Sequence, residues 1–214
     1  MKVLDPYLRS EAYKALSVFY RYPDESILEE WKRTGEDAAA SLQALSSRWK
    51  FLSPENVQGF LGSMEDLTPQ ELQAEYVRLF DYRPPCPLFE SSYVKPDRSN
   101  PGEVQLLVER MYNAFDLDST PSDPPDHLTL EMEFMHFLTF QEAEAVREGN
   151  GDVEKYRSAQ KSFHEEHIQG WVPDLCERLQ SHAGLPLFRF LGALTAEWIA
   201  NEAGYIDQLC RDVS

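Results

Sequence analysis

Basic residues, paired cysteines and long apolar runs are what this chain has little of. Twenty lysines and arginines stand against 37 aspartates and glutamates, a formal net charge of −17. Nucleic acids and anionic membrane surfaces are held by neutralising phosphate, so neither is an expected partner. The three cysteines, Cys86, Cys176 and Cys210, are scattered, and no Cys-x-x-Cys occurs. That leaves no disulfide framework and no zinc knuckle, and it fits a reducing cytoplasm, where the chain is expected to reside. The first six residues hold no apolar run of signal-peptide length, and no segment approaches a membrane span, so no membrane insertion is expected. A phosphate-cradling Gly-x-x-x-x-Gly-Lys-Ser/Thr loop and a Gly-x-Ser-x-Gly nucleophile elbow are both missing. No catalytic residue and no cofactor is therefore assigned, and the chain is not read as an enzyme.

What is present is ordinary soluble-protein material, 42% hydrophobic and 27% charged. At 214 residues the chain is long enough for one sizeable core, so a single domain over residues 1–214 is expected. The acidic excess has two readings. One is solubility; the other is a field that steers a basic partner, such as a peptide carrying paired arginines.

Helix signals recur along the chain. Asp5-Pro6 opens the first helix, whose stripe is Leu8, Ala12, Ala15, Leu16 and Phe19. Asp24 caps a short second helix expected to end near Gly35, and residues 36–49 read as a third. Ser53-Pro54 starts another. Thr68-Pro69-Gln70-Glu71 is a capping box with proline inside it, and its helix aligns Leu72, Tyr76, Leu79 and Phe80. Residues 81–100 cannot be helical across Pro84, Pro85, Pro87 and Pro96, and so form a long loop. Asn100-Pro101 restarts a helix with Val104, Leu107, Val108, Met111, Tyr112 and Phe115 on one stripe. Residues 116–126 make a polar hinge, of a kind that permits a monomer or a helix-swapped dimer. Asp126 is expected to cap the next helix. That helix is apolar on every side from Leu128 to Phe140, which places it in the middle of a bundle. Glu131 is the exception, a carboxylate that must be paired, hydrogen-bonded or protonated there; Arg78 is one candidate partner. Gly149 ends the helix, a charge-rich one follows, and the last helix turns Leu187, Leu191, Leu194, Trp198 and Tyr205 inward. No strand is expected, and the fold class is an all-α helical bundle.

The middle of the chain carries three more specific patterns. They are Tyr76-Val77-Arg78-Leu79-Phe80, Phe89-Glu90-Ser91-Ser92-Tyr93 and Asp123-Pro124-Pro125-Asp126-His127. Together they resemble the TorD/DmsD/NarJ family of molybdoenzyme maturation chaperones, with Asp123 standing where that family's hinge begins with Glu. The loop Pro84-Pro85-Cys86-Pro87 leans toward the branch serving type II DMSO reductase family enzymes, those acting on selenate, chlorate or hydrocarbons. The resemblance implies a TorD-type bundle and a cytoplasmic chaperone. Such a chaperone binds the N-terminal twin-arginine signal region of an apo molybdenum oxidoreductase catalytic subunit, assists cofactor insertion and delays export. It implies a peptide-binding role for Tyr76, Phe80, Glu90, Tyr93, Asp126 and His127, with Glu131 as organiser. Read without the resemblance, Tyr76 and Phe80 are first a core stripe, and Asp126 and His127 order the hinge.

Two other classes compete. Glu133-x-x-His136 has the spacing used by di-iron bundles, but that architecture needs a second copy, and the chain has none. His164-x-x-His167, flanked by Glu165 and Glu166, lacks a third ligand at motif spacing and reads as a solvated polar face. No metal site is assigned on either. A purely structural interaction module is the remaining alternative to a metal-dependent helical-bundle enzyme.

Overall fold

A computed structural model describes residues 4–47, 50–64, 67–94, 100–118, 124–149 and 152–211, with the backbone alone at 30 and 32–39. Nine α-helices account for most of them: α1 Pro6–Phe19, α2 Glu25–Ser47, α3 Pro54–Gly62, α4 Pro69–Phe80, α5 Pro101–Asn113, α6 Leu128–Glu148, α7 Val153–Phe163, α8 Val172–His182 and α9 Pro186–Arg211. No strand occurs among the described residues; an isolated antiparallel bridge pairs Phe89 with His127.

The helix starts are chemical. Asp5 accepts from the Tyr7 amide, Ser53 from Asn56 and Asn100 from Glu103, each with proline in the first turn. Thr68 and Glu71 close a reciprocal capping box. Gly149 ends α6 with φ +65°, a left-handed conformation that glycine adopts without a Cβ penalty. α2 departs from expectation. Residues 25–47 form one continuous helix, not two, because a single Gly35 costs a helix only about 1 kcal/mol. The hinge positions 119–123, including Asp123, lie outside the described residues, as do loop positions 95–99.

Helix α6 packs along α1 on one side and α7 on another, while α9 gathers α3, α7 and α8. One apolar cluster runs through all of these, from Leu4 to Leu209. The expectation that α6 is enclosed on every side holds only in part. Leu128, Met132, Met135 and Leu138 are fully buried, but Leu130 and Phe137 are half-buried and Phe140 is 40% exposed. Two neighbouring helices cover two flanks of a cylinder, and the third flank stays open.

A charged network crosses the bundle. Arg9 is wholly buried on α1 and bonds Glu202 of α9 through Nε at 2.9 Å and Nη2 at 2.8 Å, and Glu142 of α6 through Nη1 at 2.9 Å. Gln160 of α7 accepts from Arg9 at 2.7 Å, and Arg157 donates to the other oxygen of Glu142 at 2.7 Å. Two guanidiniums thus meet two carboxylates, and four helices are tied at one point.

Candidate client-binding site

The proline loop does not wander over the surface; it is clamped to the start of α6. Leu128 N donates to Leu88 O at 2.8 Å, and Glu90 N donates to Asp126 O at 3.0 Å. These two bonds bracket the Phe89–His127 bridge, whose rings also meet edge-on at 4.9 Å. Pro84, Pro85 and Pro87 bar an α-helix, and the chain is extended at Phe89, as such pairing needs, before one 3-10 turn over Glu90–Ser92. The second and third sequence motifs are therefore two halves of one junction.

Asp126 is not the cap of α6. It is fully buried, and its Oδ2 accepts from the Ser91 amide at 3.1 Å, across the junction. The N-cap is His127, in an extended conformation, with Nδ1 accepting from the Thr129 amide at 3.2 Å. The reason is directional: a cap must turn back toward the first helical turn, and Asp126 is turned toward the loop.

Glu131 sits one turn into α6, fully buried. Its Oε2 accepts from Trp171 Nε1 at 3.1 Å. Arg78 is not its partner; that guanidinium lies at the surface on Glu75, at 2.7 Å, and on the His182 carbonyl. Glu131 instead feels the like charge of Glu90, which is buried and meets His167 Nδ1 through Oε2 at 3.0 Å. Burial, and then the Glu90 charge, push the Glu131 carboxyl well above the ordinary carboxylate range; burial also raises Glu90, against the opposing pull of His167.

His167 and Trp171 are the participants that sequence reasoning missed. The segment His164–Ile168 is a π-helical turn, closed by Gln169 N donating to His164 O at 2.8 Å. His164 and His167 are 1% and 4% exposed, not a solvated face. The extra residue in the turn rotates both imidazoles inward and leaves Glu165 and Glu166 in water. A histidine pair ahead of a tryptophan was the available signal, but 3.6-residue spacing assigns it to the surface.

The remaining predicted residues divide by exposure. Tyr76 and Phe80 are buried at 8% and 7%: the Tyr76 hydroxyl donates to Tyr20 O at 2.9 Å, and Phe80 meets Phe188 at 5.5 Å. Tyr93 is half-buried, with its hydroxyl on Pro87 O at 2.9 Å and its ring between Trp171 and the Arg178 guanidinium. His127 is also half-buried. Burial pushes the Cys86 thiol up to about 11, which removes it as a nucleophile. Glu133 and His136 turn to different partners, Arg21 and Ser10, and no group of three potential metal ligands gathers among the described residues.

The open flank of α6 lies beside this junction. A groove open to solvent is walled by Tyr112 of α5, Leu117 just after it, and Leu130, Phe134 and Phe137 of α6. Asp118 and Glu133 supply its carboxylates. An apolar floor with acidic edges is suited to a segment that is apolar in one part and cationic in another.

Known proteins share both sequence and fold with this chain. It is 36% identical over 120 residues to a selenate reductase assembly chaperone protein of Thauera selenatis, a match covering 54% of this chain and 61% of that one. It is 29% identical over 182 residues to a chlorate reductase assembly chaperone protein of Ideonella dechloratans, covering 83% and 79%. A perchlorate reductase assembly chaperone protein of Dechloromonas aromatica (strain RCB) is 33% identical over 109 residues, and the match spans 47% of its length. The crystal structure of a provisionally assigned redox enzyme maturation protein from Archaeoglobus fulgidus superposes with a TM-score of 0.56 over 89% of this chain and 93% of that one; at 19% identity, that shows a shared all-α fold. Residues 33–177, more than half of the chain, match the family model of the nitrate reductase delta subunit, and the protein belongs to that family, the TorD/NarJ-type group that its loop and hinge motifs resemble.

Proposed function

We propose that this chain is a cytoplasmic assembly chaperone for the catalytic subunit of a molybdenum oxidoreductase. It binds that subunit's N-terminal twin-arginine signal region while the subunit is still apo, assists cofactor insertion and delays export. The relatives named for selenate, chlorate and perchlorate reductase assembly support the chaperone role and the class of client.

The observation that carries the peptide reading is the groove on the open flank of α6. Its apolar wall of Leu117, Leu130 and Phe137 suits the hydrophobic stretch of a signal region, and Asp118 and Glu133 suit its arginines. Glu133 shares Arg21 at a half-exposed site, so an incoming arginine has a carboxylate to compete for. Tyr93 and His127, each with surface left open, serve as contacts at the junction. Tyr76, Phe80, Glu90, Asp126 and Glu131 are buried and act from beneath, by fixing the loop and α6 in place.

The test is equilibrium binding of a fluorescent twin-arginine signal peptide to the whole chain. Asp118→Asn combined with Glu133→Gln is expected to weaken binding about tenfold or more, as two charge-assisted contacts are lost. A peptide with both arginines changed to glutamine should weaken to a similar degree. Equal affinity in all combinations would remove the groove from the proposal, and no binding by the unaltered chain would remove the peptide.

A further inference from the structure

We propose that Glu90 and Glu131 share one proton at neutral pH, and that this proton holds the loop, the hinge and α6 together. The geometry is a buried neighbourhood to which three segments each bring a carboxyl, Glu90 of the loop, Asp126 of the hinge and Glu131 of α6, exposed 7%, 0% and 0%. Their donors are the Ser91 amide on Asp126, Trp171 Nε1 on Glu131 and His167 Nδ1 on Glu90. Asp126 Oδ1 and Glu131 Oε1 receive none from the described residues. Tyr112 of α5 faces the same cluster, but its hydroxyl donates to Pro125 O at 2.9 Å. Glu133, two residues along α6, is paired with Arg21. Among the described residues, the basic side chain in contact with the cluster is His167, through Glu90.

Glu90 and Glu131 are anchored to groups four positions apart in the chain, His167 at 3.0 Å and Trp171 at 3.1 Å, which makes the two carboxyls neighbours. Two ionised carboxylates so placed, out of water, repel with nothing between them; one proton converts the repulsion into a charge-assisted hydrogen bond. The proton belongs on Glu131 Oε1, the oxygen with no donor, and is donated to Glu90. Glu90 remains anionic and keeps its contact with His167. The arrangement explains how a carboxyl can sit in an apolar helix with no cation beside it.

The consequence is a pH dependence of known sign. The native junction keeps a proton that the unfolded chain releases above the ordinary glutamate value of 4.5. Its stabilisation is therefore complete below that value and is lost as pH rises toward the raised native value. Each held proton costs about tenfold in the folding equilibrium constant per pH unit across that window.

The inference does not depend on the client reading, and its test uses no peptide. The folding equilibrium of the whole chain and of Glu131→Gln would be measured by denaturant at several pH values between about 5 and 8, a window within which most marginally stable proteins stay folded. Glutamine has the shape of the neutral acid and can donate to Glu90, so the variant should fold. The difference between the two proteins should change with pH by about tenfold per unit, the wild type losing ground as pH rises. Infrared difference spectra at neutral pH should show a protonated carboxyl in the wild type that is missing in the variant. Parallel pH profiles with no such band would overturn the proposal. So would a Glu131→Gln chain that fails to fold, since that would mean an ionised carboxylate is required.

Discussion

At the residue scale, Arg9 is the side chain on which most depends. It lies beside the α1 stripe in sequence, is wholly enclosed and contacts three other helices. The two carboxylates it meets hold it protonated despite burial. Removing one partner of a buried pair leaves the others uncompensated, at a cost of about 3–5 kcal/mol. Arg9→Ala is thus expected to lose about that much in denaturant unfolding, a large part of a typical total of about 5–15 kcal/mol. Replacing Arg9, Glu142 and Glu202 together by apolar residues of similar size should cost less than the single change. A single change no worse than the triple one would show that the network does not act as a unit.

At the element scale, α6 organises the molecule. Its start is fixed by His127, its first turn by the clamp to the loop, and its end by Gly149. Losing an N-cap side chain costs about 0.5–2 kcal/mol, so His127→Ala should lower stability within that range, and His127→Asn should restore it. Asp126→Ala acts by another route, because it strips the Ser91 amide of its acceptor inside the protein. An unsatisfied buried donor costs about 1–3 kcal/mol, and at half-buried Ser91 water offsets part of that. The loop should then loosen while α6 keeps its start, which amide exchange at Ser91 and Thr129 would separate. Faster exchange at Thr129 alone in the Asp126 variant would return the capping role to Asp126.

At the scale of the whole molecule, charge is the dominant feature. A net −17 over 214 residues is expected to steer a cationic peptide before contact. Exposed charges are screened beyond about 8 Å at physiological ionic strength, so the association rate for a twin-arginine peptide should fall steeply with added salt. Dissociation should change less. Stopped-flow binding at several salt concentrations measures both, and an association rate indifferent to salt would assign the acidity to solubility alone.

Much of this protein was legible from residue order because its causes are local. Asp5-Pro6, Ser53-Pro54, Thr68–Glu71 and Asn100-Pro101 set helix starts within a few residues of themselves, and prolines bar helix from the loop whatever surrounds it. The apolar periods of α4, α6 and α9 fixed an all-α bundle, and three short motifs sufficed for the family. Tertiary structure decided what depends on the far side of a contact. It turned Asp126 from the helix to the Ser91 amide and gave the cap to His127. It joined α2 across Gly35, drew His164 and His167 inward through a π turn, and left one flank of α6 open. It also brought Glu90 to Glu131 across 41 positions of sequence. Burial and charge pairing are properties of neighbours in space, and a carboxyl's protonation follows from those neighbours, not from its place in the chain.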